Sequence, residues 1–127
     1  MGRSVWVATV SFCLILALYL YCDSACRRVS DGLMQDSRHV EALIWDGKKD
    51  EALVHLRQME RAWETQADFL SFFVDHQQID RVSESLLTAR IALDYGREYE
   101  VYSSLSALEG AAESLYEADA FVLKNIW

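Results

Sequence analysis

The sequence predicts an all-α protein: an N-terminal transmembrane helix followed by a small bundle of about four antiparallel helices, arranged as two stacked helical hairpins. Three observations carry this. The 127 residues contain no Pro and only 5 Gly, so the residues that stop helices are nearly absent. Apolar residues recur in alternating steps of three and four along most of the chain. An uncharged stretch occupies residues 5–22.

That stretch, VWVATVSFCLILALYLYC, spans roughly 27 Å as a helix, close to the hydrocarbon thickness of a bilayer. Trp6, Tyr19 and Tyr21 lie near its ends, where aromatic belts form. Residues 1–26 are therefore expected to be a membrane anchor, and residues 27–127 a helical-bundle domain. A signal sequence cut after Ser24 or Ala25 is the alternative, although cleaved signals have shorter apolar cores. Arg3 flanks the run on one side and Arg27, Arg28 and Arg38 on the other. The positive-inside rule leans slightly towards a cytoplasmic bundle.

The first bundle helix is predicted over Val29–Trp45, from Val29, Leu33, Val40, Leu43 and Ile44. It can continue directly from the span, with Gly32 as its weak point. Asp46-Gly47 ends it, because Gly accepts the left-handed conformation of a helix C-terminus. A second helix is expected over 49–74, with Leu53, Leu56, Met59, Trp63, Ala67, Leu70 and Phe73 on one face. Asp50 and Glu51 suit the positive end of its macrodipole. Phe69 and Phe72 widen the stripe, as in a helix contacted on two sides.

The chain then turns a corner. Asp75 is placed to cap a third helix, and Gln78 to complete a capping box. Ile79, Val82, Leu86, Ala89 and Leu93 form that helix's apolar face. Asp94-Tyr95-Gly96 punctuates again. A fourth helix is expected over 98–124, its seam drawn through Val101, Leu105, Leu108, Ala112, Leu115, Val122 and Ile126, with Asp119 as the one polar intruder. A faint repeat with a period of 49 matches Gly47 to Gly96, Lys48 to Arg97, Glu51 to Glu100, Leu56 to Leu105, Met59 to Leu108, Glu60 to Glu109 and Ala62 to Ala111. Two hairpins built alike would produce it.

Several residues together resemble the small bacterial family known as domain of unknown function 4363. They are the GKKDEAL start of helix two, Trp63, the FVDHQQID corner, the spaced apolar residues of helix three, and terminal Asn125-Ile126-Trp127. The resemblance covers about residues 40–127, and the Asp-His corner followed by Ile79-Asp80 is its most specific part. It brings no activity, cofactor or catalytic residue. It implies a membrane-anchored helical module of spore-forming and related bacteria, facing outward, against the slender arginine count.

Composition and motifs exclude more than they assign. A net charge of −8 disfavours nucleic acid, whose phosphates want Lys and Arg. Cys13, Cys22 and Cys26 form neither a disulfide framework nor a zinc spacing, and read as small buried or membrane-facing thiols. Acylation at Cys22 or Cys26 is the alternative, but no lipoprotein motif surrounds either. Asp36-x-x-His39 has no second copy, so a di-iron bundle is not expected. His39 and His55 read as exposed helix residues. No nucleophile elbow surrounds Ser71 or Ser83 and no phosphate-cradling loop is present. Neither an enzyme nor a bound cofactor is expected.

What remains is a structural or protein-interaction module, with membrane lipid as partner through residues 5–22. Trp63, Asp75, His76 and Asp80 would be its structural corner, with the His76 ring donating to Asp80 as a clamp between helices two and three. Glu109, Glu113 and Glu117 follow at four-residue steps. They are either a solvated face or a docking surface for a basic protein. The alternative function is a small ligand- or metal-binding bundle with His76 and Asp80 as its site.

Overall fold

The computed structural model describes residues 2–72 and 74–126, with the side chains of 116–126 outside the description. Its elements are α1 (Gly2–Trp45), α2 (Lys49–Leu70), α3 (His76–Asp94) and α4 (Glu98–Ile126). Sequence neighbours pack side by side, and α4 closes the ring against α1. The result is an up-down-up-down four-helix bundle with short connections.

The apolar N-terminal segment and the first bundle helix are one element. α1 passes Gly32 without a break, so the boundary drawn after residue 26 falls inside it. Residues 2–18 are exposed along the whole helix circumference. From Cys22 onward one face turns inward through Cys22, Cys26, Ser30, Leu33, Ser37, Val40 and Ile44. The alternating spacing of three and four is that of a bundle seam. Cys22 and Cys26 are therefore core residues, 6% and 1% exposed, whereas Cys13 is exposed on the apolar segment.

Two seam positions on α1 are serines, which an apolar pattern passes over. Ser30 Oγ donates to the Ala112 carbonyl at 2.8 Å, and Ser37 Oγ approaches the Leu105 carbonyl at 3.5 Å. Both groups are buried; Ser30 replaces the lost water by this donation, and the single Ser37 proton is shared between the Leu105 carbonyl and, at 3.3 Å, Glu109 Oε1. Small side chains on both sides, including Ala111 and Ala112, let the helices approach closely.

The other seams follow most of the predicted positions, but Leu53 and Ala67 are only half-buried and Ala52 is buried in addition. Phe69 and Phe72, expected to widen the α2 stripe, are exposed because, among the described residues, no further helix packs on that side of the corner. Leu56, Met59, Trp63 and Leu70 are buried on α2, and Ile79, Val82, Leu86, Ala89 and Leu93 on α3. Val101, Leu105, Leu108, Ala112 and Leu115 are buried on α4. Val122, Ile126 and Asp119 lie outside the described side chains.

The two tight turns are the same turn. Gly47 and Gly96 have φ of 78° and 74°, the left-handed region that Gly enters without a Cβ penalty. Asp46, Gly47, Lys48 and Ala52 donate backbone N–H groups to Ala42, Ile44, Leu43 and Lys48. Tyr95, Gly96, Arg97 and Val101 donate to Ile91, Leu93, Ala92 and Arg97. Every donor and acceptor of the first set recurs 49 positions later, so the faint sequence repeat corresponds to two equivalent helix–Gly turn–helix connections.

Candidate functional site

The α2–α3 corner is shorter on helix than expected. α2 stops at Leu70 rather than at 74, because Asp75 adopts an extended backbone (φ −58°, ψ 137°) and starts a new helix. The Val74 N–H returns to the Leu70 carbonyl at 2.8 Å, and both side chains are buried. Phe73 lies outside the described residues.

Trp63 is 3% exposed. Its indole Nε1–H donates to Ser83 Oγ at 2.8 Å, and that hydroxyl donates to the Ile79 carbonyl at 3.1 Å. The relay ties α2 to α3 near the corner. A second tie lies further along, where Arg90 Nε meets Glu60 Oε1 at 2.6 Å.

Asp75 occupies the N-cap of α3, its carboxylate accepting the Gln77 N–H at a long 3.5 Å. The capping box does not close: Gln78 Oε1 is buried without a hydrogen-bond partner among the described residues. Nor is there a clamp. His76 and Asp80 are both exposed, and no hydrogen bond or ion pair joins them among the described side chains. Their spacing puts them on one helix face, but that face meets water, where neither group gains from pairing. The link between α2 and α3 runs instead through the Trp63–Ser83 relay.

The acidic stripe divides. Glu109 is half-buried against α1 and accepts from Ser37 Oγ at 3.3 Å. It faces Glu41, whose carboxyl lies above the ordinary range, chiefly through burial and secondly through the Glu109 charge, with Arg38 opposing both. Glu113 is exposed and borders a groove with Arg27, Ser30, Asp31 and Met34. The Glu117 side chain lies outside the described residues.

One cluster escaped the sequence reading. His55 Nε2 of α2 lies 3.3 Å from Asp36 Oδ1 of α1, and the His55 and His39 rings meet edge to face at 4.8 Å. The signal was there in the Asp46-Gly47 turn: folding the chain back at that point sets His55 opposite Asp36 and His39. Among the described residues, no group of three His, Cys, Asp or Glu side chains is arranged to hold a metal ion.

These features define a class: a four-helix bundle whose first helix is prolonged by an exposed apolar segment long enough to cross a membrane. The family model described as Domain of unknown function (DUF4363) matches residues 20–126. The chain belongs to this family, in agreement with the resemblance carried by the corner residues. No curated protein and no solved structure matches the chain.

Proposed function

We propose that the protein is a single-pass, membrane-anchored helical module without a catalytic role, which holds a rigid interaction surface at the outer face of the cell membrane. The observation that carries this is the continuity of α1. One unbroken helix supplies both the apolar segment of residues 5–22 and one stave of the bundle. Any load or docking event on the bundle is then passed to the anchor without a flexible joint. The family resemblance argues for the outer side. The net charge of −8 favours a basic protein partner over nucleic acid, and the exposed Glu113, with Glu117 four residues on in the same helix, is the face proposed for it, Glu109 being turned towards α1. The reading involves no cofactor.

Carbonate extraction of membranes tests the anchor, with full-length protein expected in the pellet. Release into the supernatant would refute it. Protease digestion of intact cells tests sidedness, with loss of the bundle expected. For the partner face, charge reversal at Glu113 and Glu117 should abolish salt-sensitive partner capture while leaving helicity unchanged, since exposed charges are screened within about 8 Å at physiological ionic strength.

A further inference from the structure

The corner between α2 and α3 carries two exposed aromatic rings, Phe69 at 39% and Phe72 at 82% relative exposure. Exposure alone assigns them nothing, because Trp45, Tyr95 and Tyr99 are also exposed, at 84%, 76% and 86%. The two groups differ in where the fold puts them. Following α1 back from Asp36 to Tyr21, α2 is followed forward from His55 to Phe69, and contacts join both pairs. His55 meets Asp36 at 3.3 Å, and the Tyr21 and Phe69 rings meet edge to face at 6.2 Å, 89° apart. This antiparallel register brings the corner level with Tyr19 and Tyr21, the last turn of the uncharged run of residues 5–22. Trp45, Tyr95 and Tyr99 stand at the opposite end, beside the two Gly turns.

We propose that the α2–α3 corner is a second membrane contact, in which Phe72, with Phe69 beside it, enters the interface of the lipid bilayer next to the point where α1 leaves it. The proposal rests on the reading of residues 5–22 as a membrane span. If Tyr19 and Tyr21 lie in the aromatic belt of that span, Phe69 lies at the same depth, because its ring touches Tyr21.

Three backbone donors of the corner are already bonded within the chain. Ser71 N–H bonds to the Ala67 carbonyl at 2.9 Å, Phe72 N–H to the Phe69 carbonyl at 3.4 Å and Val74 N–H to the Leu70 carbonyl at 2.8 Å. Ser71 Oγ donates to the Asp68 carbonyl at 2.7 Å. Donors already satisfied within the chain lose little on leaving water. Leu70 and Val74 are buried at 0% and 9% exposure on either side of Phe72, so they hold the corner to the core while Phe72 faces outward. The carboxylates of Asp68 and Asp75, both exposed, flank the rings and would repel anionic headgroups. The lipid surface that fits is therefore neutral and zwitterionic, and the contact is apolar and insensitive to salt. With two points of attachment the bundle keeps one inclination to the membrane.

The test uses the full chain in phosphatidylcholine vesicles. The photoreactive residue benzoylphenylalanine replaces Leu14, Phe72 or Tyr99, one at a time, and lipid adducts are read by mass spectrometry after irradiation. Lipid adduct is expected at position 14 and at position 72, the latter at least about tenfold above position 99 and unchanged at high salt. Adduct at 14 with none at 72 overturns the proposal and leaves the anchor standing. Equal adduct at 72 and 99 also overturns it, because the far end of the bundle would then label as readily as the corner. Absence of adduct at 14 overturns the anchor reading, and the second contact with it.

Discussion

Glu41 of α1 faces Glu109 of α4 at the place where, in the equivalent hairpin position 49 residues away, Arg90 of α3 faces Glu60 of α2. The turns repeat, but of the two equivalent seams between the hairpins one holds an ion pair and the other two like charges. Burial and the Glu109 charge raise the Glu41 carboxyl above its ordinary value. A raised carboxyl binds its proton more tightly folded than unfolded. Its cost to stability is absent below the unfolded value and grows as pH rises through the folded one. Glu41→Arg should create between α1 and α4 the pairing that Arg90 and Glu60 make between α3 and α2, and stabilise the protein by up to about 1 kcal/mol at neutral pH. Glu41→Gln should remove this part of the pH dependence. Urea unfolding in detergent micelles at about pH 4 and about pH 7 checks both, and a Glu41→Arg variant less stable than the parent at neutral pH would show that the two sites are not equivalent.

Trp63→Ala should destabilise by about 3–5 kcal/mol, because a large buried ring is removed from a closed seam. Trp63→Phe keeps most of the volume and loses only the donation to Ser83, for about 1 kcal/mol. Equal losses in the two variants would mean that the hydrogen bond, and not the packing, dominates.

His76→Ala and Asp80→Ala should each change stability by less than about 0.5 kcal/mol, and the double variant by their sum, since both are exposed and unlinked. A coupling energy in the unfolding cycle would reveal a clamp formed in solution.

Gly47→Ala and Gly96→Ala should each cost about 1–2 kcal/mol, the penalty of a Cβ in the left-handed region. Among the described residues, no packing atom lies within 4 Å of an added Cβ at Gly47, and at Gly96 only Lys49 Nζ, at 3.9 Å. The cost is therefore conformational and should be similar at the two sites. A loss at one site only would contradict the equivalence of the turns.

Much of this molecule was legible in its sequence because the fold is a sum of local rules. The missing Pro, the two Gly punctuations and the alternation of three and four set the helices and most of their buried faces. They do so because a helix's inward positions are fixed by its own period. The uncharged run of residues 5–22 was legible as part of a helix long and apolar enough to cross a membrane. What local patterning could not carry was anything decided by the partner helix. Ser30 and Ser37 are polar in sequence and buried in fact, because carbonyls of α4 stand opposite them. His39, His55 and Asp36 meet only once the Gly47 turn sets the register of α1 against α2. His76 and Asp80, one turn apart, looked like a pair, yet the packing of α3 leaves both in water. The stripe of Glu109 and Glu113 was continuous on paper and was split by α1, which shelters the first and leaves the second exposed. Periodicity tells each helix which face is buried. Only the register between helices determines which side chains meet there.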